Sequence, residues 1–381
     1  MSVKVIELIP TMNTGGAETM VKDYALLMNK DKVVIKVVVL DHRYGSENER
    51  LLDENGIETL YLNDVIYGNR KDLNVIQKVH RTLARYYYFR KYVLKEKPDV
   101  IHVHLVFKNY LKMLPLKKMN IRLIYTVHNV MENYFDKRPG LKPKYFEYCE
   151  AKQLVQKHNM TLVALHDDMN KELREYFHTE NVVTVNNGIV MENFDVTNFD
   201  RKEKRLSLGI SDDEFLVGNV GRLFPQKNHE MIFKIFMELL KVRPKSKLLL
   251  IGKGPLKDNI KKCIRENGIT DKVIMLENRS DIPELMNAMD VFLFPSRWEG
   301  YGNVLLEAQC VGLRCVISDR VPKSVRLTDL VVPLPLEAPL SEWVETLTDD
   351  SIRGIPVGNL QDHDMKNCIQ KLEKLYVNEG I

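Results

Sequence analysis

No apolar run in this 381-residue chain approaches the ~20 residues a bilayer-spanning helix needs, so no transmembrane anchor is expected. The start, Met1-Ser2-Val3-Lys4-Val5-Ile6-Glu7-Leu8-Ile9-Pro10, lacks the apolar core and cleavage site of a secretory signal and reads as a buried first strand. Cysteine is scarce. Cys149, Cys263, Cys310, Cys315 and Cys368 are odd in number and widely scattered, with no C-x-x-C pair. That pattern argues against a disulfide framework or a zinc site and for reduced thiols in a cytoplasm. There is no G-x-G-x-x-G and no G-x-x-x-x-G-K-[ST], which leaves a dinucleotide fold and a P-loop ATPase unsupported. No G-x-S-x-G elbow is present either, and neither internal repeats nor low-complexity tracts occur.

What remains is the composition of a soluble globular protein, 44% hydrophobic and 28% charged, in a chain long enough for two domains. Short apolar strand candidates alternate with helical stretches. In the first half they lie at 3–9, 33–40, 57–62, 100–103, 123–127, 162–165 and 182–185. In the second they lie at 215–220, 247–251, 272–276, 291–294, 314–317 and 330–332. Near-continuous apolar strands between helices predict parallel sheets covered on both faces, so each half reads as a doubly wound α/β unit. We expect a first domain over 1–190, a second over 191–361 opened by a polar linker at 191–204, and a C-terminal helix within 362–381 returning toward the first. Ligands of such sheets bind beyond the carboxyl ends of the strands, which predicts a site in the cleft between the domains.

The most informative segment is Phe294-Pro295-Ser296-Arg297-Trp298-Glu299-Gly300-Tyr301-Gly302-Asn303-Val304-Leu305-Leu306-Glu307. A buried strand ends at Pro295, the glycines permit a tight turn, and a helix should start near Asn303. Glu299 then sits in the loop and Glu307 about one turn into the helix, on either side of an N-terminus suited to a diphosphate. Carboxylates flanking an anion site suit a ligand with hydroxyls on both sides of its phosphates, the pattern of a nucleotide sugar. Two solvated acids around a turn are the bland alternative.

Other candidates also follow strand ends. Asn13-Thr14-Gly15-Gly16-Ala17-Glu18 opens a helix after the first strand, as an anion turn or a plain strand–helix connection. Gly221-Arg222-Leu223-Phe224-Pro225-Gln226-Lys227-Asn228 puts two cations in one loop, able to grip a diphosphate through a fork and a point charge, or merely exposed. His128 ends an apolar strand and is either a ligand contact or a core or capping histidine. His102 and His104 alternate on one strand face and read as structural. Asp362-His363-Asp364 matches a D-x-D metal signature but precedes the last helix, where its acids serve more simply as cap and first-turn charges.

Net charge is only +4, yet residues 70–97 carry nine basic side chains against two acids, interleaved with Tyr86-Tyr87-Tyr88-Phe89. Residues 108–122 add Lys108, Lys112, Lys117, Lys118 and Arg122 with no acid. Either this is a solvated helix face or it meets an anionic surface, membrane headgroups rather than nucleic acid, because no recognition motif accompanies the charge.

In series, these motifs resemble the retaining glycosyltransferases of family 4, with the GT-B architecture. The resemblance runs from Gly15-Gly16 through Val127-His128, Asn187-Gly188-Ile189, Gly221-Arg222 with Lys227 and Gly252-Lys253-Gly254-Pro255-Leu256 to Glu299 with Glu307. The tail, Ile317-Ser318-Asp319, Val321-Pro322-Lys323 and Trp343, is similar to the subgroup that makes capsular and extracellular polysaccharides. The resemblance implies two Rossmann-like domains facing across a cleft, and transfer of a hexose from a nucleotide sugar, with UDP as the nucleotide, to a lipid-linked glycan. It implies retention without a metal or other cofactor, and the basic, aromatic stretch adds the expectation of docking on the cytoplasmic face of the membrane. It gives Glu299 the hydroxyls of the donor sugar, Glu307 the ribose, Arg222 and Lys227 the diphosphate, Gly15 and Gly16 the approach to the phosphates, and His128 a place near the reacting sugar. Backbone groups at Tyr301, Gly302, Asn303 and Val304 would complete the donor contacts. Two departures stand out. Arg320-Val321-Pro322-Lys323-Ser324 replaces a Gly-Gly and an acid common in relatives, and Asn228 replaces a glycine. A sugar-nucleotide epimerase of the same fold is the alternative, and a non-catalytic scaffold is disfavoured because the charged cleft residues are all present.

Overall fold

The computed structural model describes residues 2–13, 15–42, 44–68, 70, 72–105, 110–111, 114–129, 143–349 and 360–379. The chain divides into two compact units, Met1–Gly188 with Met365–Ile381, and Ile189–Asp364.

The first unit holds seven strands: β1 (Val3–Ile9), β2 (Val33–Val39), β3 (Thr59–Tyr61), β4 (Val100–His104), β5 (Arg122–Thr126), β6 (Thr161–Ala164) and β7 (Val182–Thr184). All pair in parallel, in the order β3-β2-β1-β4-β5-β6-β7. Its helices among the described residues are α1 (Gly16–Leu27), α2 (Glu47–Glu54), α3 (Val75–Glu96), α4 (Pro143–His158) and α5 (Asp167–Phe177). The order reverses direction between β1 and β4, so the loops after those strands diverge and leave a crevice at their carboxyl ends.

The second unit is smaller and follows the same plan. It comprises α6 (Arg201–Ser207), β8 (Phe215–Val220), α7 (His229–Val242), β9 (Ser246–Ile251), α8 (Lys257–Glu266), β10 (Val273–Leu276), α9 (Ile282–Ala288), β11 (Val291–Phe294), α10 (Asn303–Cys310), β12 (Cys315–Ser318), β13 (Val331–Leu334) and α11 (Leu340–Thr348). Its six parallel strands run β10-β9-β8-β11-β12-β13, with the reversal between β8 and β11. Ile232, Phe233, Ile235, Phe236 and Leu239 line the buried stripe of α7, and the fully buried Trp343 of α11 packs into the same core. Truncating a buried aromatic there costs about 3–5 kcal/mol.

The last helix, α12 (Met365–Val377), belongs to the first unit and packs on α1, β1 and β2. Arg122 at the start of β5 donates to the carbonyls of Leu375, at 2.9 Å, and Tyr376, satisfying the negative end of that helix. Gly188 cannot carry a side chain, because a Cβ there would lie 2.8 Å from Cα of Met365.

Some sequence-based expectations change. The polar stretch 191–204 is no loose linker: it forms two short 3-10 turns and the first half of α6. Its charges find partners within the unit. Arg201 donates to the Met289 carbonyl at 2.7 Å and Asp290 at 2.8 Å, and Lys204 pairs with Asp281 at 2.8 Å. The aromatic run on α3 does not face outward as a block. The helical period turns Phe89 fully inward and sets Tyr86 against Tyr110, leaving Tyr87 as the exposed ring. Arg85 is likewise held, donating to Asn63 at 2.7 Å and to Asp41. Lys71, Lys108, Lys112 and the side chain of Lys117 lie outside the described residues.

Candidate active site

In the second unit the reversal in strand order brings together the loop after β8 and the loop after β11. The first ends with Asn228 in the left-handed region (φ 55°), capping α7. Its amide donates to the Pro295 carbonyl at 3.1 Å, and Arg297 N–H donates to the Gln226 carbonyl at 2.8 Å. Asparagine tolerates that backbone conformation, which explains why it can stand where relatives have glycine.

Clamped this way, Lys227 Nζ lies 2.6 Å from Glu299 Oε1 and 4.5 Å from the centre of the Phe294 ring. Gln226 Nε2 donates to Glu299 Oε2 at 3.1 Å and to the Trp298 carbonyl at 2.9 Å. The Glu299 carboxylate is therefore buried, paired with Lys227 and held in orientation by Gln226. Lys227 is not an isolated cation for a phosphate, as the sequence alone suggests; it is shared between the carboxylate and whatever anion approaches. Arg222 is exposed beside the Phe224 ring, and Glu299 and Lys227 are the pair the fold joins.

After Glu299 the chain turns through Gly302 (φ 90°), a conformation that favours glycine, and enters α10 at Asn303. That helix start carries the positive end of the helix dipole. Glu307 follows one turn on. Burial pushes its carboxyl up to about 7, with Lys227 acting the other way. The buried Tyr301 side chain meets His363 Nδ1 through its hydroxyl and so serves the fold. Gly252 fits because a Cβ there would lie 1.9 Å from the Gly221 carbonyl oxygen, so the loop after β9 seats directly on the Arg222 loop. His229, next to Lys227, gave no signal in the sequence. It is buried, lowered to about 4 by burial and by Lys227, and its ring nitrogens have no partner among the described residues.

In the first unit Gly15 caps α1 in an extended conformation and Gly16 begins it. The Glu18 side chain folds back so closely that a Cβ on Gly15 would lie 2.2 Å from its carboxylate. Asn48 donates to the Asn13 carbonyl at 2.6 Å, bracing the turn; Thr14 lies outside the described residues.

His128 follows β5, half-buried, and its Nε2 lies 2.9 Å from His104 Nδ1. His104 Nε2 in turn lies 2.7 Å from Glu7 Oε2. Tyr376 of α12 donates to Glu7 Oε1 at 2.6 Å and meets His102 Nδ1 at 2.6 Å, while His102 Nε2 meets Thr126 Oγ1 at 2.7 Å. Sequence reasoning missed Glu7 and Tyr376, although a carboxylate inside the apolar run of β1 was a readable signal. Glu7, His102 and His104 have metal-ligating chemistry. Two nitrogen or oxygen ligands of one tetrahedral zinc stand about 3.3 Å apart, whereas Glu7 and His104 touch at hydrogen-bond distance and Tyr376 and Thr126 occupy His102. The set is a closed polar network. Burial would raise Glu7, but His102 and His104 hold its carboxyl well below the usual carboxylate range. Burial and His102 lower His104 to about 4 against the pull of Glu7, and burial with both imidazoles lowers His128.

The D-x-D motif is split between elements: Asp362 lies in a 3-10 turn, and Asp364 immediately precedes α12, so the two acids do not share the last helix.

Two parallel α/β units of this topology define the GT-B architecture. The sequence agrees. Residues 14–193 match the Glycosyltransferase Family 4 profile and residues 200–327 the Glycosyl transferases group 1 profile. The chain belongs to the family-4-like GT-B glycosyltransferases. It is 28% identical to glycosyltransferase EpsF of Bacillus subtilis over 93% of this chain and 89% of that one. It is also 28% identical to the UDP-Gal:alpha-D-GlcNAc-diphosphoundecaprenol alpha-1,3-galactosyltransferase of Escherichia coli, over 70% of each. Anabaena Alr3699/HepE, solved in complex with UDP and glucose, has the same fold: TM-score 0.70 at 18% identity, over 99% of this chain and 97% of that one. Relatives named as transferases do not favour the epimerase reading.

Proposed function

We propose that the protein is a retaining hexosyltransferase that moves a sugar from a UDP-sugar to a lipid-linked glycan during synthesis of a cell-surface polysaccharide. The observation that carries this reading is the Lys227–Glu299 pair at the switch point of the second sheet, with Glu307 one turn into the following helix. The donor sugar's hydroxyls go to Glu299, the ribose to Glu307, and the diphosphate to Lys227, Arg222 and the start of α10, with backbone contacts at Tyr301, Gly302, Asn303 and Val304. From the first unit, the Gly15-Gly16 turn approaches the phosphates and His128 the reacting sugar. As the anomeric bond breaks, negative charge grows on the diphosphate, and the cations placed there stabilise it more than they stabilise the ground state. Those cations do what a D-x-D enzyme asks of its ion, so the reaction proceeds without a metal. The leaving phosphate takes the acceptor's proton in a front-face attack that retains anomeric configuration.

The acceptor reading is supported by the Escherichia coli relative, whose name specifies a diphosphoundecaprenol-linked sugar, and by the surface of α3. Ile76, Val79, Leu83, Tyr87 and Leu94 fall on one face of that helix and are 42–79% exposed. Lys78 and Lys91 on the same helix are also exposed. An apolar stripe with cations suits an anionic leaflet, holding the enzyme on the cytoplasmic face of the membrane. No helix among the described residues is long and apolar enough to cross a membrane.

The test is a panel of nucleotide sugars scored by thermal stabilisation and by hydrolysis, then by transfer to an undecaprenyl-diphosphate-linked sugar with the product's anomeric configuration read by NMR. An inverted product, or no response to any UDP-sugar, refutes the reading. Interconversion of the nucleotide sugar without acceptor identifies the epimerase instead.

A further inference from the structure

We infer that Glu7 and His104 are positioning residues that fix the tautomer of His128, leaving the nitrogen on its far side, Nδ1, without a proton. The inference rests on the reading of His128 as the sugar-facing residue of the first unit.

The argument begins at the closed end of the network. Glu7 and His104 are fully buried, so no water can rearrange their bonds. An ionised carboxylate only accepts, so His104 must donate from Nε2 to Glu7 Oε2, 2.7 Å away. A neutral imidazole has one donor and one acceptor, which makes His104 Nδ1 the acceptor. His128 Nε2, 2.9 Å from it, must then carry the proton. His128 is left with an unprotonated Nδ1 on its other side. Such a nitrogen receives a hydrogen bond from a sugar hydroxyl and cannot donate one. Tyr376 completes the control from α12 by donating to the second oxygen of Glu7 at 2.6 Å, which keeps that carboxylate from turning. Burial supports the neutral state of both imidazoles, His104 being lowered to about 4 and His128 also lowered.

The consequence is specific. In Glu7→Gln the shape is kept, but an amide can present N–H to His104 as well as C=O. His104 can then accept at Nε2 and donate at Nδ1, and His128 must reverse in turn. Thr126→Val removes a hydrogen bond of the same buried cluster, to His102, without touching the chain from Glu7 to His128.

Long-range ¹H–¹⁵N correlation spectra of the whole protein, with imidazole nitrogens labelled, read the tautomers directly. The wild type is expected to show His104 and His128 protonated on Nε2, and Glu7→Gln to move the His128 proton to Nδ1, wholly or in part. Glu7→Gln should lower kcat by about 10–100-fold, the scale of a group that orients a histidine, with KM for the UDP-sugar selected by the donor panel changing less than about threefold. Thr126→Val should keep kcat within about twofold. His128→Asn, which keeps an acceptor near the Nδ1 position, should retain more turnover than His128→Gln. A proton on Nδ1 of His128 in the wild type overturns the inference, as does an equal loss of kcat in Glu7→Gln and Thr126→Val. Undiminished turnover in His128→Phe refutes the sugar-facing reading itself, and with it any catalytic role for Glu7 and His104, whatever tautomer the spectra show.

Discussion

Lys227 Nζ stands 2.6 Å from Glu299 Oε1 although 72 residues separate them, and the side chains retain only 12% and 5% of their exposure. Neither charge would be tolerated there alone, so each defines the other's geometry before any substrate arrives. A donor binding at this pair meets a carboxylate already aimed and a cation already desolvated on one side, which strengthens its attraction to phosphate.

Removing the cation should therefore do two things at once. Lys227→Ala is expected to lower kcat by about 10²–10³ through loss of diphosphate stabilisation. It should also lower stability by about 1–3 kcal/mol, because among the described residues Gln226 is the side-chain partner left to Glu299. Glu299→Gln combined with Lys227→Ala should recover stability but not turnover. Thermal unfolding and steady-state kinetics on the three variants check this, and normal transfer by folded Lys227→Ala would refute the diphosphate role.

In the proposed mechanism Lys227, Arg222 and the α10 start stabilise the diphosphate in place of a metal, so activity should survive exhaustive EDTA treatment. Loss of turnover that Mg²⁺ or Mn²⁺ restores would contradict this and return attention to Asp362 and Asp364.

The state of Glu307 predicts a pH dependence. Its folded pKa of about 7 lies above its ordinary value of 4.5, so the folded protein holds this proton more tightly than the unfolded chain. The stability this confers is complete below about 4.5 and is lost as pH rises toward 7. In the proposed ribose role an ionised carboxylate accepts from both ribose hydroxyls more strongly than the neutral acid does, so UDP binding should tighten as pH rises from 6 to 8. In Glu307→Gln both dependences should flatten. Calorimetric titration with UDP across that range measures the first and thermal unfolding the second; an unchanged slope in the variant would show that another group titrates.

Docking through α3 should depend on both its apolar stripe and its charge. Each engaged cation near an anionic leaflet contributes about 1 kcal/mol before screening. Raising salt shortens the Debye length from ~10 Å to ~3 Å, so co-sedimentation with phosphatidylglycerol-containing vesicles should fall steeply. Leu83→Asp with Tyr87→Ser should weaken binding at low salt without changing hydrolysis of a soluble UDP-sugar. Equal binding to neutral and anionic vesicles, or none to either, would make a soluble acceptor the better assignment.

The sequence by itself determined the strands, the two parallel sheets and the Glu299-to-Glu307 segment. These are local patterns: a buried parallel strand reads as an apolar run, and Gly302 before Asn303 marks a turn into a helix whatever lies around it. Only the tertiary structure decided which charges meet. Lys227 reaches Glu299 because the strand order brings β8 beside β11, and Glu7 reaches His104 because β1 pairs with β4. The sequence marked Tyr86 and Phe89 as surface aromatics, and the fold turned them inward, because helical phase depends on which face the sheet covers. Tyr376 joins a network seeded at Glu7 because α12 packs on β1, closing a separation of 369 residues. Periodicity encodes how much surface each element buries; the partner that covers it is set by crossovers tens to hundreds of residues long.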